Sequence, residues 1–222
     1  MNFRFLKAIS QIPAAQWNAL TGTDYPFLRH EFLDALEQSG CVTPDTGWHP
    51  HHLLLEDGGR LLAVMPLYVK QHSYGEFVFD HAWAEAYFQN GLAYYPKLVN
   101  AIPFTPCNGP RIAFSGISAA ELALLVSGAL QREARRLGAS GWHCLFPEPA
   151  QTGIWQAMDA DRRIACHFHW HNHGYAGFEA FLQDCLPRKR KEIKRERRIT
   201  VEQGIQLKRI KAGDILPEHI SR

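Results

Sequence analysis

HHLLLEDGGRLLAVMPLYVK, residues 51–70, reads as two apolar runs joined by a tight turn, and it sets the kind of fold this chain adopts. His51–Glu56 and Leu61–Lys70 are the expected strands. Asp57-Gly58-Gly59 between them is a strong hairpin signal, because glycine reaches the positive φ that a two-residue β-turn needs. The second run is nearly all apolar, as expected of a strand covered on both faces, and Pro66, which lacks an N–H, argues for an edge or a bulge.

Helical patterns flank this hairpin on both sides. Pro13–Leu20 reads as a short first helix, and Asp24-Tyr25-Pro26 opens a second, with Leu28, Phe32 and Leu36 on one face and Gly40 as its stop. Phe77–Gln89 reads as starting extended and becoming helical around Trp83–Phe88. PFTPCNGP, residues 103–110, is a loop leading into a short strand, Arg111–Phe114. Ile117–Leu137 is an amphipathic helix ended by Gly138, and Arg135–Ser140 is its stop rather than a phosphate loop. Trp142–Phe146 is expected as a strand, Ile154–Ala160 as a helix and Ile164–Asn172 as a strand. Two helices split at Pro187 (Phe178–Leu186 and Pro187–Gln203) follow, then a last strand, Ile205–Ile210, and the opening of a helix near Pro217. This order predicts an α/β (α+β) chain, a mixed sheet with flanking helices.

Composition narrows the function. The 222 residues are 46% hydrophobic, enough for a substantial core. No uncharged apolar run of membrane-spanning length occurs, and residues 1–12 lack the pattern of a signal peptide, so a cytoplasmic setting is expected. Five scattered cysteines with no CxxC pair indicate neither a disulfide framework nor a zinc ribbon. GxGxxG, the P-loop and GxSxG are absent. The net charge of +2 hides an asymmetry: residues 1–186 carry 12 Lys/Arg against 17 Asp/Glu, whereas residues 187–222 carry 12 against 5. Such a local field suits an anionic ligand, although a charge run also serves solubility.

Three segments carry chemistry. Along Ile164–Asn172 a strand would place His167, His169, His171 and His173 on one face. Same-face neighbours about 7 Å apart do not all reach one ion, so no metal is expected. Packed histidines, or one that handles a proton or touches substrate, are the alternatives. PRKRKEIKRERR (187–198) places Arg188, Lys191 and Arg195 on one helical stripe, with Lys194 and Arg198 beside it. Arg188 and Glu192 are spaced to pair at i,i+4. The helix start at Pro187–Arg190 suits an anion, because open N–H groups and three cations converge there. SYGEFVFDHAWAEAY (73–87) mixes aromatics with Asp80, His81 and Glu85. Either the Asp80/His81 pair handles a proton or both residues merely cap the next helix.

PFLRHEFLDALEQSG (26–40), PLYVKQHSYGEFVFDHAWAEAY (66–87), YYPKLVNAIPFTPCNGPR (94–111) and FHWHNHGYAGFEAFL (168–182), followed by RKRKEIKRERR (188–198), together resemble the FemAB-like N-acyltransferases of the GNAT superfamily. The resemblance implies a GNAT-like mixed sheet with flanking helices, and transfer of an acyl or aminoacyl group to an amine. It implies a first GNAT-like domain over residues 1–186, and a linking helix and strand over 187–222 that begin a second such domain. Relatives would continue beyond Arg222, so the chain is either truncated or a first domain serving alone.

The resemblance also implies the ligands. The donor is acyl-CoA or aminoacyl-tRNA, with tRNA as a partner, and the acceptor is a small molecule or a cell-wall (peptidoglycan) precursor. On this reading His171 or the Asp80/His81 pair handles the proton, and Tyr74, Trp83, Asn172 and Tyr175 shape the acceptor site. Arg188, Lys189, Lys191 and Arg195 meet phosphate or tRNA backbone. The rivals are a non-catalytic recognition module for RNA or an anionic cell-wall precursor, and an incomplete fragment without activity.

Overall fold

The computed structural model describes residues 1–220 apart from Phe79, Ala165 and His167. It is a mixed α/β chain whose strands and most of whose helices lie in a compact unit, Met1–Arg163, followed by a smaller unit, Ile164–Arg222. The first unit holds two four-stranded sheets. One is antiparallel, in the order β1 (Asn2–Leu6), β3 (His52–Asp57), β4 (Arg60–Met65), β7 (Ala113–Phe114). The other runs β2 (Trp48–Pro50), β5 (Tyr68–Lys70), β6 (Lys97–Asn100), β8 (Trp142–Cys144), with β6 and β8 parallel.

The hairpin forms as expected: Asp57 pairs with Arg60, and Gly58 and Gly59 between them have φ 54° and 82°. The run Leu61–Lys70, however, is two strands in two sheets. Pro66 and Leu67 break it between β4 and β5, and His51 breaks β2 from β3 at the facing position. Proline offers no donor to a ladder, so the chain turns a corner there. The corner is tied by His51 N–H to the Leu67 carbonyl at 2.8 Å and by Asn100 Nδ2 to the Pro66 carbonyl at 2.6 Å.

The uninterrupted leucines of β3 are explained by cover on both faces. Leu53 and Leu55 pack with Met65 and Leu98 against Leu122, Val126 and Leu130 of α4 (Ala119–Leu137). Leu54 and Val64 point the other way, onto Trp17 of α1 (Ala14–Thr21) and Leu33 of α2 (His30–Gln38). A third cluster joins Trp48, Tyr68 and Val99. Ser118 caps α4 by accepting the Glu121 N–H, and Gly138 ends it with φ 64° and bonds to the Ala134 and Arg135 carbonyls, so Arg135–Ser140 is a helix stop.

Three strands, β1, β2 and β6, have no counterpart in the sequence reading. In β1, NFRFL, Phe3 and Phe5 pack on the core of α4 while Arg4 pairs with Glu56. The helical part of Phe77–Gln89 is α3 (His81–Gln89), and α5 is short (Thr152–Ala157). In the second unit α6 (Phe178–Asp184) and α7 (Pro187–Glu202) split at Pro187, and α8 (Pro217–Ile220) follows. The expected strands Ile164–Asn172 and Ile205–Ile210 do not form among the described residues. A strand exists only as part of a ladder, and the described residues of this unit contain no strand for either to pair with.

Candidate functional site

β5 and β6 run antiparallel with Lys70 directly opposite Lys97, and both lysines are buried. Like charges facing each other across a ladder repel, and a buried ammonium requires close partners. The loop between β5 and α3 supplies them. Lys97 Nζ donates to Asp80 Oδ2 at 2.6 Å, Glu76 Oε2 at 2.8 Å and Ser73 Oγ at 2.8 Å. These three bonds use all three ammonium hydrogens. The Tyr94 hydroxyl donates to Asp80 Oδ2 at 2.7 Å, and the Tyr95 and Ser73 hydroxyls bond at 2.8 Å. Lys70 Nζ instead donates to the Tyr74 carbonyl at 3.0 Å and lies 3.7 Å from the centre of the Trp48 ring.

The titration of these groups follows from burial set against pairing. Burial works to raise the Asp80 carboxyl, but hydrogen bonds from Lys97, Ser73 and Tyr94 outweigh it and hold the group at about 2. Glu76 goes the other way, because burial outweighs the help of Lys97. Burial brings Lys70 down to about 8, with Glu76 opposing and Lys97 assisting. Burial, together with the charge of Lys97, lowers His143 on β8 to about 4; its ring stands edge-on to Tyr94 at 6.1 Å. Glu76 Oε1 and Asp80 Oδ1 are buried and, among the described residues, meet no hydrogen-bond donor at hydrogen-bond distance. The result is a buried, charged network of two lysines, two carboxylates and their hydroxyl partners.

Four of the residues singled out in the sequence lie in the first unit. Asp80 is central to the network. It stands at the N-cap position of α3, but its side chain makes no cap bond, because the carboxylate is turned to Lys97. His81 is the exposed first residue of α3. Tyr74 contributes its carbonyl to Lys70, while its ring is exposed and stands against His72. Trp83 is half exposed, with the Arg163 guanidinium 5.1 Å from its ring. Lys70, Glu76, Tyr94, Lys97 and His143 were not singled out. The available signal was a lysine at the end of one short strand and at the start of another.

The other seven lie in the second unit. His171 is exposed and outside any helix or strand, its ring 6.3 Å from that of His169. Without a strand the histidines share no ladder face, and His167 lies outside the described residues; among those described, no three metal-ligating side chains gather. Asn172 Oδ1 accepts the Gly174 and Tyr175 N–H groups. Tyr175 donates to Asp184 and stacks near Trp170 and Phe181, and these aromatics, Asn172 and Phe178 line a shallow hollow.

On α7, Lys191 and Arg195 line a groove with Arg190, Lys194 and Arg198; Arg188 and Lys189 are not part of its lining. Glu192 pairs with Lys189 at 2.8 Å rather than with Arg188. The convergence of three cations expected at the start of α7 is not seen. Arg190 turns back to the Leu182, Gln183 and Cys185 carbonyls and closes the C-terminal end of α6.

A family model described as FemAB-like, peptidoglycan biosynthesis/recognition, matches residues 8–222. The chain belongs to the FemAB-like family. That match takes in both the lysine network and the basic helix. Among solved structures, this FemAB-like chain is similar to an apo aminoglycoside 6'-N-acetyltransferase from Acinetobacter haemolyticus. The two are 11% identical over 78% of this chain and 99% of the other, with a TM-score of 0.43. No curated protein matches. No helix among the described residues is long and apolar enough to cross a membrane.

Proposed function

We propose that this FemAB-like chain is an N-acyltransferase of GNAT-like architecture that moves an acyl or aminoacyl group onto an amine of a peptidoglycan precursor or a related anionic metabolite. The family match over residues 8–222 carries this reading. In the reaction a neutral amine nitrogen bonds to the donor's carbonyl carbon. The C–S or C–O bond to the leaving group breaks, and the amine's proton passes to a base. Of the residues considered for that proton, Asp80 is held ionised by Lys97 and Tyr94 and is a weak base, so its part is to fix Lys97. Glu76, buried beside Lys97 with its proton affinity raised by burial, is better matched to the task. His81 and His171 are both exposed and remain open to test. Residues 187–222 are read as the opening of a second GNAT-like domain.

The test is single-turnover transfer from labelled acyl-CoA and, separately, from aminoacyl-tRNA to a UDP-linked muropeptide. Transfer from one donor that falls by roughly a hundredfold or more in Glu76→Gln supports the reading. An undiminished rate in that variant removes Glu76 from the chemistry, and His81→Ala and His171→Ala then show whether either histidine replaces it. No transfer from either donor, with muropeptide still bound, points to the rival reading of a recognition module. The aromatic hollow and the basic groove of the second unit are what favour that rival.

A further inference from the structure

We propose that the basic face of α7 is a docking surface for an anionic phospholipid bilayer. Lys191, Lys194, Arg195 and Arg198 line one open groove along this helix. Their spacing of three and four residues sets them on one stripe, and all four are exposed. Among the described residues, no carboxylate stands at ion-pair distance from Lys191 or Arg195, whereas Lys194 pairs with Glu179 at 3.1 Å and Arg198 with Glu202 at 3.4 Å. Both of those pairs lie in water and yield to another anion at little cost. Glu196 falls on the opposite side of the helix, and Glu192 is held by Lys189.

Charge alone suits any polyanion, and the ends of the stripe choose between them. Val201 stands at i+3 from Arg198 and i+7 from Lys194, so it continues the same stripe, and it is 75% exposed. Leu186, immediately before the helix, is 78% exposed. A cationic stretch is thus bracketed by two aliphatic side chains in water, about 20 Å apart along the axis. A polynucleotide pairs its phosphates with cations and stacks its bases on aromatic rings, which leaves aliphatic side chains unused. A bilayer surface meets both kinds of group: lipid phosphates take the ammonium and guanidinium groups, and the acyl boundary takes Leu186 and Val201. The contact is peripheral, because α7 has 16 residues and is too charged to enter hydrocarbon.

The test is flotation of the whole chain with vesicles containing about 30% phosphatidylglycerol in phosphatidylcholine, and with vesicles of phosphatidylcholine alone. Expected is saturable binding to the anionic vesicles only. Lys191→Gln/Arg195→Gln should weaken it by roughly tenfold or more. Leu186→Ser/Val201→Ser should weaken it to a similar degree, roughly tenfold, and leave the binding of an oligouridylate unchanged. On the natural chain, part of the vesicle binding should persist at a salt concentration that abolishes oligouridylate binding, because the apolar ends are not screened. That measurement decides if either variant is misfolded by circular dichroism.

Equal binding to both kinds of vesicle, or binding to neither, overturns the proposal. So does vesicle binding that the serine pair leaves unmoved, which would make the stripe a general polyanion site. Displacement of the chain from anionic vesicles by oligouridylate at matched phosphate concentration would assign the stripe to polynucleotide instead. The acyl-transfer reading does not enter this argument, and loss of vesicle binding leaves it untouched.

Discussion

Lys97 brings a full charge into the interior of this chain, and its stability depends on the oxygens it meets. Removing one partner from a buried pair strands the other, which costs far more than the pair contributes. Lys97→Met should therefore destabilise the protein by about 3–5 kcal/mol in urea unfolding. The triple variant Lys97→Met/Glu76→Gln/Asp80→Asn should recover part of that loss. A Lys97→Met loss below about 1 kcal/mol would show that the network is hydrated and not dry.

The same residues set a pH profile. Asp80, held near 2 against an ordinary 3.8, contributes stability that is complete above 3.8 and fades as pH falls through 2. His143, brought from 6.5 to about 4, acts in the same direction: the unfolded chain takes the proton first, so stability is lost as pH falls from 6.5 to 4. Glu76, whose carboxyl is raised, opposes both by taking a proton in the folded state. Lys70 works at the alkaline end, where stability should rise from pH 8 towards 10.5 as the folded chain releases that proton ahead of the unfolded one. Chemical unfolding across pH should show the slope between 4 and 6.5, and His143→Gln should flatten it. An unchanged slope in that variant would assign the loss to other groups.

The elements show where local reading holds and where it stops. The β3–β4 hairpin, α4 with its stop at Gly138, and the break at Pro187 were legible because each rests on residues adjacent in sequence. Leu61–Lys70 reads as one strand, because nothing local says that Pro66 hands the chain to a second sheet. That follows from Asn100, which clamps Pro66 from far along the chain. β6 was missed because KLVN is four residues long and begins with a charge. Lys97 is at home there only once Glu76 and Asp80 are beside it. At Gly75 the loop itself is constrained: an added Cβ would stand 2.6 Å from the Phe104 ring, on backbone with φ 79°. Gly75→Ala should cost of order 1–3 kcal/mol in thermal unfolding and loosen the carboxylate loop. A neutral result would show that Phe104 yields freely.

At the scale of the molecule, all eight strands and the three apolar clusters of the described residues belong to Met1–Arg163. That unit expressed alone should unfold in a single cooperative transition, with near-coincident fluorescence and circular dichroism curves. A broad, non-cooperative transition would mean that its core draws on residues 164–222. The basic groove of α7 makes a separate prediction. Polynucleotide binding there should weaken steeply with salt, and Lys191→Ala should reduce that slope by about one.

The sequence by itself determined the apolar hairpin, the stop of α4 at Gly138, the break at Pro187, the charge asymmetry and the family resemblance, because periodicity, turn chemistry and composition are written in neighbouring residues. Only the tertiary structure decided that Lys70 and Lys97 face each other indoors, that Asp80 leaves its helix cap for Lys97, and that two carboxylate oxygens remain unmet. A charge's surroundings in the interior are made by residues distant along the chain, and no local pattern encodes which of them arrive.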